Sequence, residues 1–183
     1  MPVPTLVVVS GPPRTGTTTL AHALAAAMTC PAICRDEIKE GMAHAAGPEF
    51  EPGRGDPLTQ RAFSVFFDVV GTLVKAGATV VAEAAFQDRL WRQGLEPLSG
   101  YAALRIVQCR VDPETAMRRA RERKATNAVA RRAHADLIGW DLDDWRRMFE
   151  EFERVSLPAP SIDVDTTDGY VPPLEAVVDF VNR

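Results

Sequence analysis

The stretch from Thr5 to Leu24 constrains the fold of this chain most, because an apolar run leads directly into a loop with two glycines. Residues 5–10, TLVVVS, form a continuous β-branched run, which is typical of a parallel strand covered on both faces. The loop GPPRTG follows, and then TTTLAHAL, whose apolar residues recur at helical spacing. A strand, a glycine loop and a helix in this order predict a phosphate site, since successive backbone N–H groups and the positive end of the helix can point at one anion.

The loop departs at one position from the phosphate-binding pattern G-x-x-x-x-G-K-[ST], because Thr17 stands where the pattern has lysine. The glycines keep the backbone cradle, and Thr18 keeps the hydroxyl that meets Mg²⁺. Arg14 is the cation inside the loop, and we expect its guanidinium to contact the phosphate in place of the lysine. The alternative is a glycine turn with a solvent-facing arginine. The residues predicted to bind the nucleotide here are Gly11, Pro12, Pro13, Arg14, Thr15, Gly16, Thr17, Thr18 and Thr19, with Thr18 as the metal ligand.

Short apolar runs alternate with helical patterns along the rest of the chain. Further strands are predicted at 31–34, 79–86, 103–109 and 161–166. Helices are predicted after residue 34 and at 59–77, 88–97, 113–135, 141–154 and 173–182, with a Gly- and Pro-rich loop at 47–57. This alternation predicts an α/β fold, a doubly wound parallel sheet of about five strands with helices on both faces, whose ligands bind beyond the carboxyl ends of the strands. With 183 residues we expect one domain, 1–183.

Composition narrows the classes of partner and the compartment. A net charge of -4 makes nucleic acid an unlikely partner, and the absence of a long apolar run argues against a membrane protein. The cysteines Cys30, Cys34 and Cys109 form neither a CxxC pair nor a disulfide framework, and their odd number indicates a reducing cytoplasm. We interpret Cys30 and Cys34 as packing residues rather than metal ligands. The three histidines, at 22, 44 and 134, show no metal-ligand spacing. We therefore expect a cytoplasmic protein.

Nearly the whole chain resembles the small P-loop kinases grouped with polynucleotide kinase, zeta-type toxins and chloramphenicol phosphotransferase. The resembling segments are SGPPRTGTTTLAHAL, CRDEIKEGM, VVAEAAFQDRLWRQGLEPL, CRVDPETAMRRARER and IDVDTTDGYVPPLEAVVDFV. The loop alone, Arg14-Thr15-Gly16-Thr17-Thr18, is similar to the phosphosulfate-binding loop of sulfotransferases. That second family also uses an arginine with a serine some eight residues later. Arg110 begins a similar run, but no serine follows it before Ser156.

The resemblance to the kinases implies roles for residues outside the loop. Asp36, just after the second strand, occupies the place of the general base that acts on the acceptor hydroxyl, although it could also be the N-cap of the next helix. Arg35 and Lys39 are expected to orient an anionic acceptor or the transferred phosphate. Glu83 ends an apolar strand and is expected to position the Mg²⁺ hydration shell or the acceptor, since a lone buried charge is costly. Arg89 borders the acceptor pocket or lies on a solvated helix face.

A basic segment interrupts the otherwise acidic chain. Residues 118–132, RRARERKATNAVARR, contain Arg119 and Arg123 four positions apart, on one helical face. We expect a lid at about 118–140 whose arginines neutralise charge on the transferred phosphate. The alternative is a solvated helix face. The resemblance further implies that Asp165 and Thr166, in DVDTTDG, lie against the adenine base.

These features together predict an enzyme that uses ATP or GTP with Mg²⁺. We expect it to move the γ-phosphoryl group to a hydroxyl of a small molecule. The alternatives are a nucleotide-binding protein that has lost catalysis and a sulfotransferase-like enzyme with a phosphosulfate donor. The departure at Thr17 keeps these alternatives open.

Overall fold

A five-stranded parallel sheet forms the centre of the fold, as the sequence predicts. The computed structural model of the chain describes residues 3–47, 49–50, 56–126 and 139–183. The strands are β1 (Thr5–Ser10), β2 (Ala32–Cys34), β3 (Val80–Glu83), β4 (Ala103–Arg110) and β5 (Ser161–Asp165). Their order across the sheet is β2-β3-β1-β4-β5, and every pairing is parallel. β3 ends at Glu83, earlier than the predicted 86.

Helices connect the strands and cover both faces of the sheet. They are α1 (Thr17–Ala27), α2 (Arg35–Ala46), α3 (Pro57–Lys75), α4 (Asp88–Leu95), α5 (Pro113–Thr126), α6 (Leu142–Glu150) and α7 (Leu174–Val181). A 3₁₀ turn, Glu96–Leu98, continues α4. Residues 127–138 lie outside the described residues, and with them the end of the predicted 113–135 helix, from residue 127 onwards, and about half of the predicted lid. The described part of the 118–140 segment consists of the end of α5 and residues 139 and 140.

Several helix boundaries differ from the sequence-based prediction by one to four residues, and the start of α3 has a clear local reason. α3 begins at Pro57 rather than Thr59, because Asp56 caps it by accepting a hydrogen bond from the Thr59 backbone N–H at 2.9 Å and proline suits the first helical position. α6 ends at Glu150 rather than 154.

No described helix is both long and apolar enough to cross a membrane.

The core consists of two apolar layers, one on each side of the sheet. Since side chains alternate along a strand, Leu6 and Val8 pack with the α3 residue Phe66 on one face. Val7 and Val9 pack on the other face with side chains of α1 and α7. The β1 strand is therefore fully covered, which explains why its sequence is a continuous apolar run instead of an alternating one.

The topology brings the chemically functional segments to one edge. β1 is central, with β3 on one side and β4 on the other, so the chain leaves β1 at the point where the strand order reverses. The loop 11–16, the start of α2 and the end of β3 all follow the carboxyl ends of parallel strands. They therefore meet at the same edge of the sheet.

Candidate functional site

The loop between β1 and α1 has the backbone geometry of an anion cradle. Arg14 and Gly16 both adopt left-handed conformations, with φ of 68° and 81°. A Cβ on Gly11 would lie 2.6 Å from the Cys109 carbonyl oxygen, so only glycine fits there. The Thr15 hydroxyl donates to the Pro12 carbonyl at 2.7 Å and holds the turn closed. Since α1 starts directly after Gly16, its N-terminus points at the space that the loop encloses.

A cleft of about 700 Å³ opens in front of this loop. This volume is within the range of small-molecule sites, roughly 300 to 1,000 Å³. Most of the residues selected from the sequence line it: Pro13, Arg14, Gly16, Thr17, Thr18, Thr19, Arg35, Asp36, Glu83, Arg119, Arg123 and Thr166. The structure thus brings together residues from three strand ends, α1, α2 and α5.

Other residues selected from the sequence do not line the cleft. Gly11, Pro12 and Thr15 form the back of the loop instead of its open face. Asp165 turns its carboxylate to Thr167, and hydrogen bonds from the Thr167 hydroxyl and from its backbone N–H, at 2.9 Å, lower the pKa of Asp165 below its ordinary value. Arg89 lies exposed on α4, in agreement with the alternative of a solvated helix face.

The expectation that Lys39 faces an acceptor is wrong. The side chain is 2% exposed, and its Nζ lies 2.9 Å from the Asp56 Oδ2 atom. Lys39 is three residues after Asp36 on α2, and the helix directs it towards the start of α3 while Asp36 faces the cleft. The sequence spacing places Lys39 close to Asp36 but does not give the direction of its side chain. That direction depends on Asp56, which is distant in the sequence and whose position beside α2 the local pattern does not define.

Thr18 and Glu83 form a polar contact at the floor of the cleft. The Thr18 hydroxyl donates to the Glu83 Oε2 atom at 3.2 Å. Burial, followed by repulsion from Asp36, raises the pKa of Glu83 to about 7, although hydrogen bonds from Thr17, Thr18 and Cys34 partly oppose this. Glu83 forms no salt bridge within the described residues. Replacement of the pattern's lysine by Thr17 thus leaves this buried carboxylate without a cation beside it.

Arg14 lies largely buried at the wall of the cleft. Its Nε atom is buried and has no hydrogen-bond partner among the described residues. Burial and repulsion from Arg123 lower the pKa of the guanidinium, while Asp36 and Glu40 act in the opposite direction. A buried donor without an acceptor is unfavourable, so an anion in the cleft would relieve this cost.

Asp36 lies in the first turn of α2 and is oriented by its neighbour. The Nη1 atom of Arg35 donates to the Asp36 Oδ1 atom at 2.9 Å, and the Arg35 guanidinium also lies over the Phe86 ring at 5.9 Å. The N-cap of α2 is Cys34, so the alternative of Asp36 as the N-cap is wrong. The carboxylate instead faces the cleft.

The two arginines on α5 contact opposite sides of the cleft. The Nη2 atom of Arg119 donates to the backbone carbonyl oxygens of Thr166 and Thr167, and Nη1 donates to the Thr166 hydroxyl at 3.3 Å. The Nη2 atom of Arg123 lies 2.9 Å from the Glu40 carboxylate of α2. α5 therefore connects the segment after β5 with α2 across the mouth of the cleft.

Sequence reasoning missed Glu40, Gly169 and Tyr170. Glu40 pairs with Arg123, and Gly169 and Tyr170 line the cleft next to Thr166. The run DGY, which begins three residues after the end of β5, carried a signal, since an aromatic residue after a turn at a strand's carboxyl end is well placed to meet a ligand. Glu40 carried none that distinguishes it from any exposed helix residue.

The residues present fit a nucleotide with Mg²⁺. The oxygen donors at the floor, Thr18, Glu83 and Asp36, are hard ligands of the kind that Mg²⁺ prefers. The backbone of the loop and the unpartnered Nε of Arg14 are suited to phosphate oxygens.

Solved structures show the same fold at low sequence identity. A provisionally assigned kinase from Chloroflexus aurantiacus is 23% identical with a TM-score of 0.84, and the match covers 99% of this chain and 98% of that one. A shikimate kinase from Bacteroides thetaiotaomicron is 17% identical with a TM-score of 0.58, covering 96% and 94%. Kti12 from Chaetomium thermophilum, solved in complex with ADP-AlF3, is 17% identical with a TM-score of 0.61, covering 96% of both chains.

The similarity to P-loop kinases is thus confirmed at the level of the fold, whereas the narrower group named from the sequence stays a prediction. No curated protein matches the sequence significantly. The profile of the AAA domain family AAA_33 matches residues 6–152, which is most of the chain, and the chain therefore belongs to that family.

Proposed function

We propose that this protein transfers the γ-phosphoryl group of ATP or GTP to a hydroxyl of a small molecule. The observation that supports this most is that one cleft contains both a phosphate loop and a carboxylate, Asp36, held by Arg35. A binding module needs the loop alone. A transferase needs a group on the acceptor side as well.

On the donor side, the backbone N–H groups of the loop and the first turn of α1 hold the phosphates. Arg14 provides a charged contact to the phosphates that Thr17 cannot make, and its unpartnered Nε gains an acceptor. Thr18 would hold Mg²⁺, with Glu83 next to it. When bound, the ion neutralises charge on the phosphates.

On the acceptor side, Asp36 accepts the proton of the attacking hydroxyl. The new bond forms between the acceptor oxygen and the γ-phosphorus, and the bond to the nucleoside diphosphate breaks. Arg35 keeps the Asp36 carboxylate oriented through its 2.9 Å hydrogen bond. Arg119 and Arg123, on α5, supply positive charge at the mouth of the cleft.

The net negative charge of the chain and the size of the cleft support a small acceptor over a polynucleotide.

A specific observation also supports a second candidate, a nucleotide-binding protein without turnover, because Thr17 replaces the lysine that follows the phosphate during transfer. A phosphosulfate donor gains no support, since Arg110 does not line the cleft and its side chain is 64% exposed beside Asp165.

The test is transfer from radiolabelled ATP, with Mg²⁺, to a panel of small hydroxyl acceptors. The parent should label one acceptor class, and Asp36→Asn should reduce kcat by about 100-fold or more without changing ATP affinity, since a general base acts on the acceptor. Asp179→Asn, an exposed carboxylate on α7, is the matched control and should behave like the parent. Unchanged turnover in Asp36→Asn would exclude the base. ATP binding without any transfer across the panel would favour the non-catalytic alternative.

A further inference from the structure

Three side chains that the kinase chemistry does not use meet beside the cleft. His22 comes from α1, Cys34 ends β2 and Glu37 lies in the first turn of α2. One nitrogen, one sulfur and one oxygen atom of these side chains all lie within 4.8 Å of one another. His22 Nε2 is 2.7 Å from Glu37 Oε1 and 3.8 Å from Cys34 Sγ.

These distances are close to those of a tetrahedral metal site. With Zn–S of about 2.3 Å and Zn–N or Zn–O of about 2.0 Å, tetrahedral angles require ligand atoms to be separated by roughly 3.3 to 3.6 Å. The sulfur-to-nitrogen distance is near this range, and the nitrogen-to-oxygen contact, a hydrogen bond at present, must lengthen. The side chains of His22 and Glu37 are 50% and 48% exposed and can make this adjustment, while Cys34 is 2% exposed and fixed by the sheet.

The chemistry of the three ligands selects the ion. Imidazole nitrogen, thiolate sulfur and carboxylate oxygen are the donors of zinc sites, whereas Mg²⁺ prefers oxygen ligands alone. Burial, followed by the charges of Glu83 and Glu37, raises the pKa of the Cys34 thiol, so the sulfur keeps its proton until an ion binds. The same two carboxylates favour a cation at this position. On binding, the thiol proton is released to solvent and the sulfur becomes a thiolate ligand.

We propose that His22, Cys34 and Glu37 form a binding site for Zn²⁺ or a similar divalent transition-metal ion, with water at the fourth position. The half-exposed rim formed by His22 and Glu37 gives the ion a path from solvent. The site shares no ligand with the oxygen donors around Thr18, although the Cys34 thiol contacts Glu83. A bound ion links α1 to the junction of β2 and α2, directly before Arg35 and Asp36.

The test uses the full chain, freed of metal by a chelator and titrated with Co²⁺, whose absorption reports thiolate coordination. We expect one Co²⁺ per chain with a thiolate-to-cobalt charge-transfer band, displaced by Zn²⁺ and retained in excess Mg²⁺. Cys34→Ser should lose the band. Cys109→Ser is the matched control, because Cys109 is buried to the same degree and should keep the band. A parent without the band, or a Cys34→Ser variant that keeps it, overturns the proposal.

A second pair of variants covers the case in which Cys34→Ser fails to fold. His22→Gln changes a half-exposed side chain and should weaken Co²⁺ binding at least about tenfold. Even the loss of a residue that only supports a metal ligand typically costs about this much in metal affinity. His44→Gln, an exposed histidine at the end of α2, should not. Zn²⁺ should raise the Tm of the parent and of His44→Gln more than that of His22→Gln. Equal affinities and equal Tm increases in the two variants would contradict the site.

Discussion

The single position that most affects the chemistry of the cleft is residue 17. A lysine there would place a positive charge beside Glu83 and the phosphates. Threonine is uncharged and can offer only a hydrogen bond. We propose that Arg14 compensates from another direction, because its left-handed backbone conformation at the turn of the loop brings a largely buried guanidinium to the wall of the cleft. The guanidinium is held between like charge from Arg123 and opposite charge from Asp36 and Glu40. We therefore expect Arg14 to bind the donor more than to follow the moving phosphate.

Arg14→Ala should weaken ATP binding by about one to two decades, because a charge-assisted hydrogen bond contributes roughly 1.5 to 3 kcal/mol. Isothermal titration calorimetry with Mg²⁺ and ATP measures this directly. Arg89→Ala, an exposed arginine outside the cleft, is the control and should leave the Kd unchanged. An unchanged Kd for Arg14→Ala would mean that the backbone alone holds the phosphates.

At the scale of elements, the buried pair Lys39–Asp56 connects α2 to the start of α3. Asp56 accepts hydrogen bonds from the Lys39 Nζ, the Thr59 hydroxyl and the Thr59 backbone N–H, so one carboxylate serves as both ion-pair partner and helix cap. Burial alone would raise the pKa of Asp56, but these contacts outweigh it and lower the pKa below its ordinary value. Since α2 carries Asp36 and Arg35, this pair fixes the helix from which the proposed general base enters the cleft.

Removing one partner of this pair should destabilise the protein strongly. Lys39→Met leaves the Asp56 carboxylate buried and unpaired, and we expect a loss of about 3 to 5 kcal/mol in the free energy of unfolding. Urea denaturation at pH 7 measures this. Lys39→Met combined with Asp56→Asn should lose less than the sum of the two single variants, because no uncompensated charge then remains. Additive losses would show that the two side chains contribute independently.

For the molecule as a whole, the raised pKa of Glu83 links stability to pH. The folded protein holds a proton on Glu83 up to a pH of about 7, whereas an unfolded chain releases it near its ordinary pKa of about 4.3. The folded state therefore binds more protons between these values. The free energy of unfolding falls as pH rises through this window, by up to about 3 kcal/mol from this group.

Glu83→Gln should remove this contribution. The free energy of unfolding of the variant minus that of the parent should therefore become more positive as the pH rises from 4.5 to 7.5. Chemical denaturation across that range, without Mg²⁺ or nucleotide, measures the difference between the two proteins. Thr17→Lys is a second arm, because an ammonium next to the carboxylate should lower the pKa of Glu83 and reduce the same pH dependence. Parallel stability profiles for parent and Glu83→Gln would contradict the raised pKa.

The sequence by itself determined the parallel sheet, the glycine loop between β1 and α1 and the place of Asp36 at the start of α2, because these are local features. A β-branched run before glycines at fixed spacing predicts a strand, loop and helix, and parallel strands necessarily bring their carboxyl ends to one edge. The direction of individual side chains was only partly predictable. Arg119 and Arg123 share a helical face by their spacing, but their partners Thr166 and Glu40 come from distant segments.

Only the tertiary structure decided contacts that depend on the path of the chain between elements. Lys39 pairs with Asp56 because α2 turns that lysine inwards against the start of α3, and nothing in the local pattern of either helix encodes this contact. His22, Cys34 and Glu37 have no metal-ligand spacing, yet they meet because α1, β2 and α2 converge at one corner of the sheet. Local sequence specifies which residues share a face of one element, whereas packing specifies which faces meet.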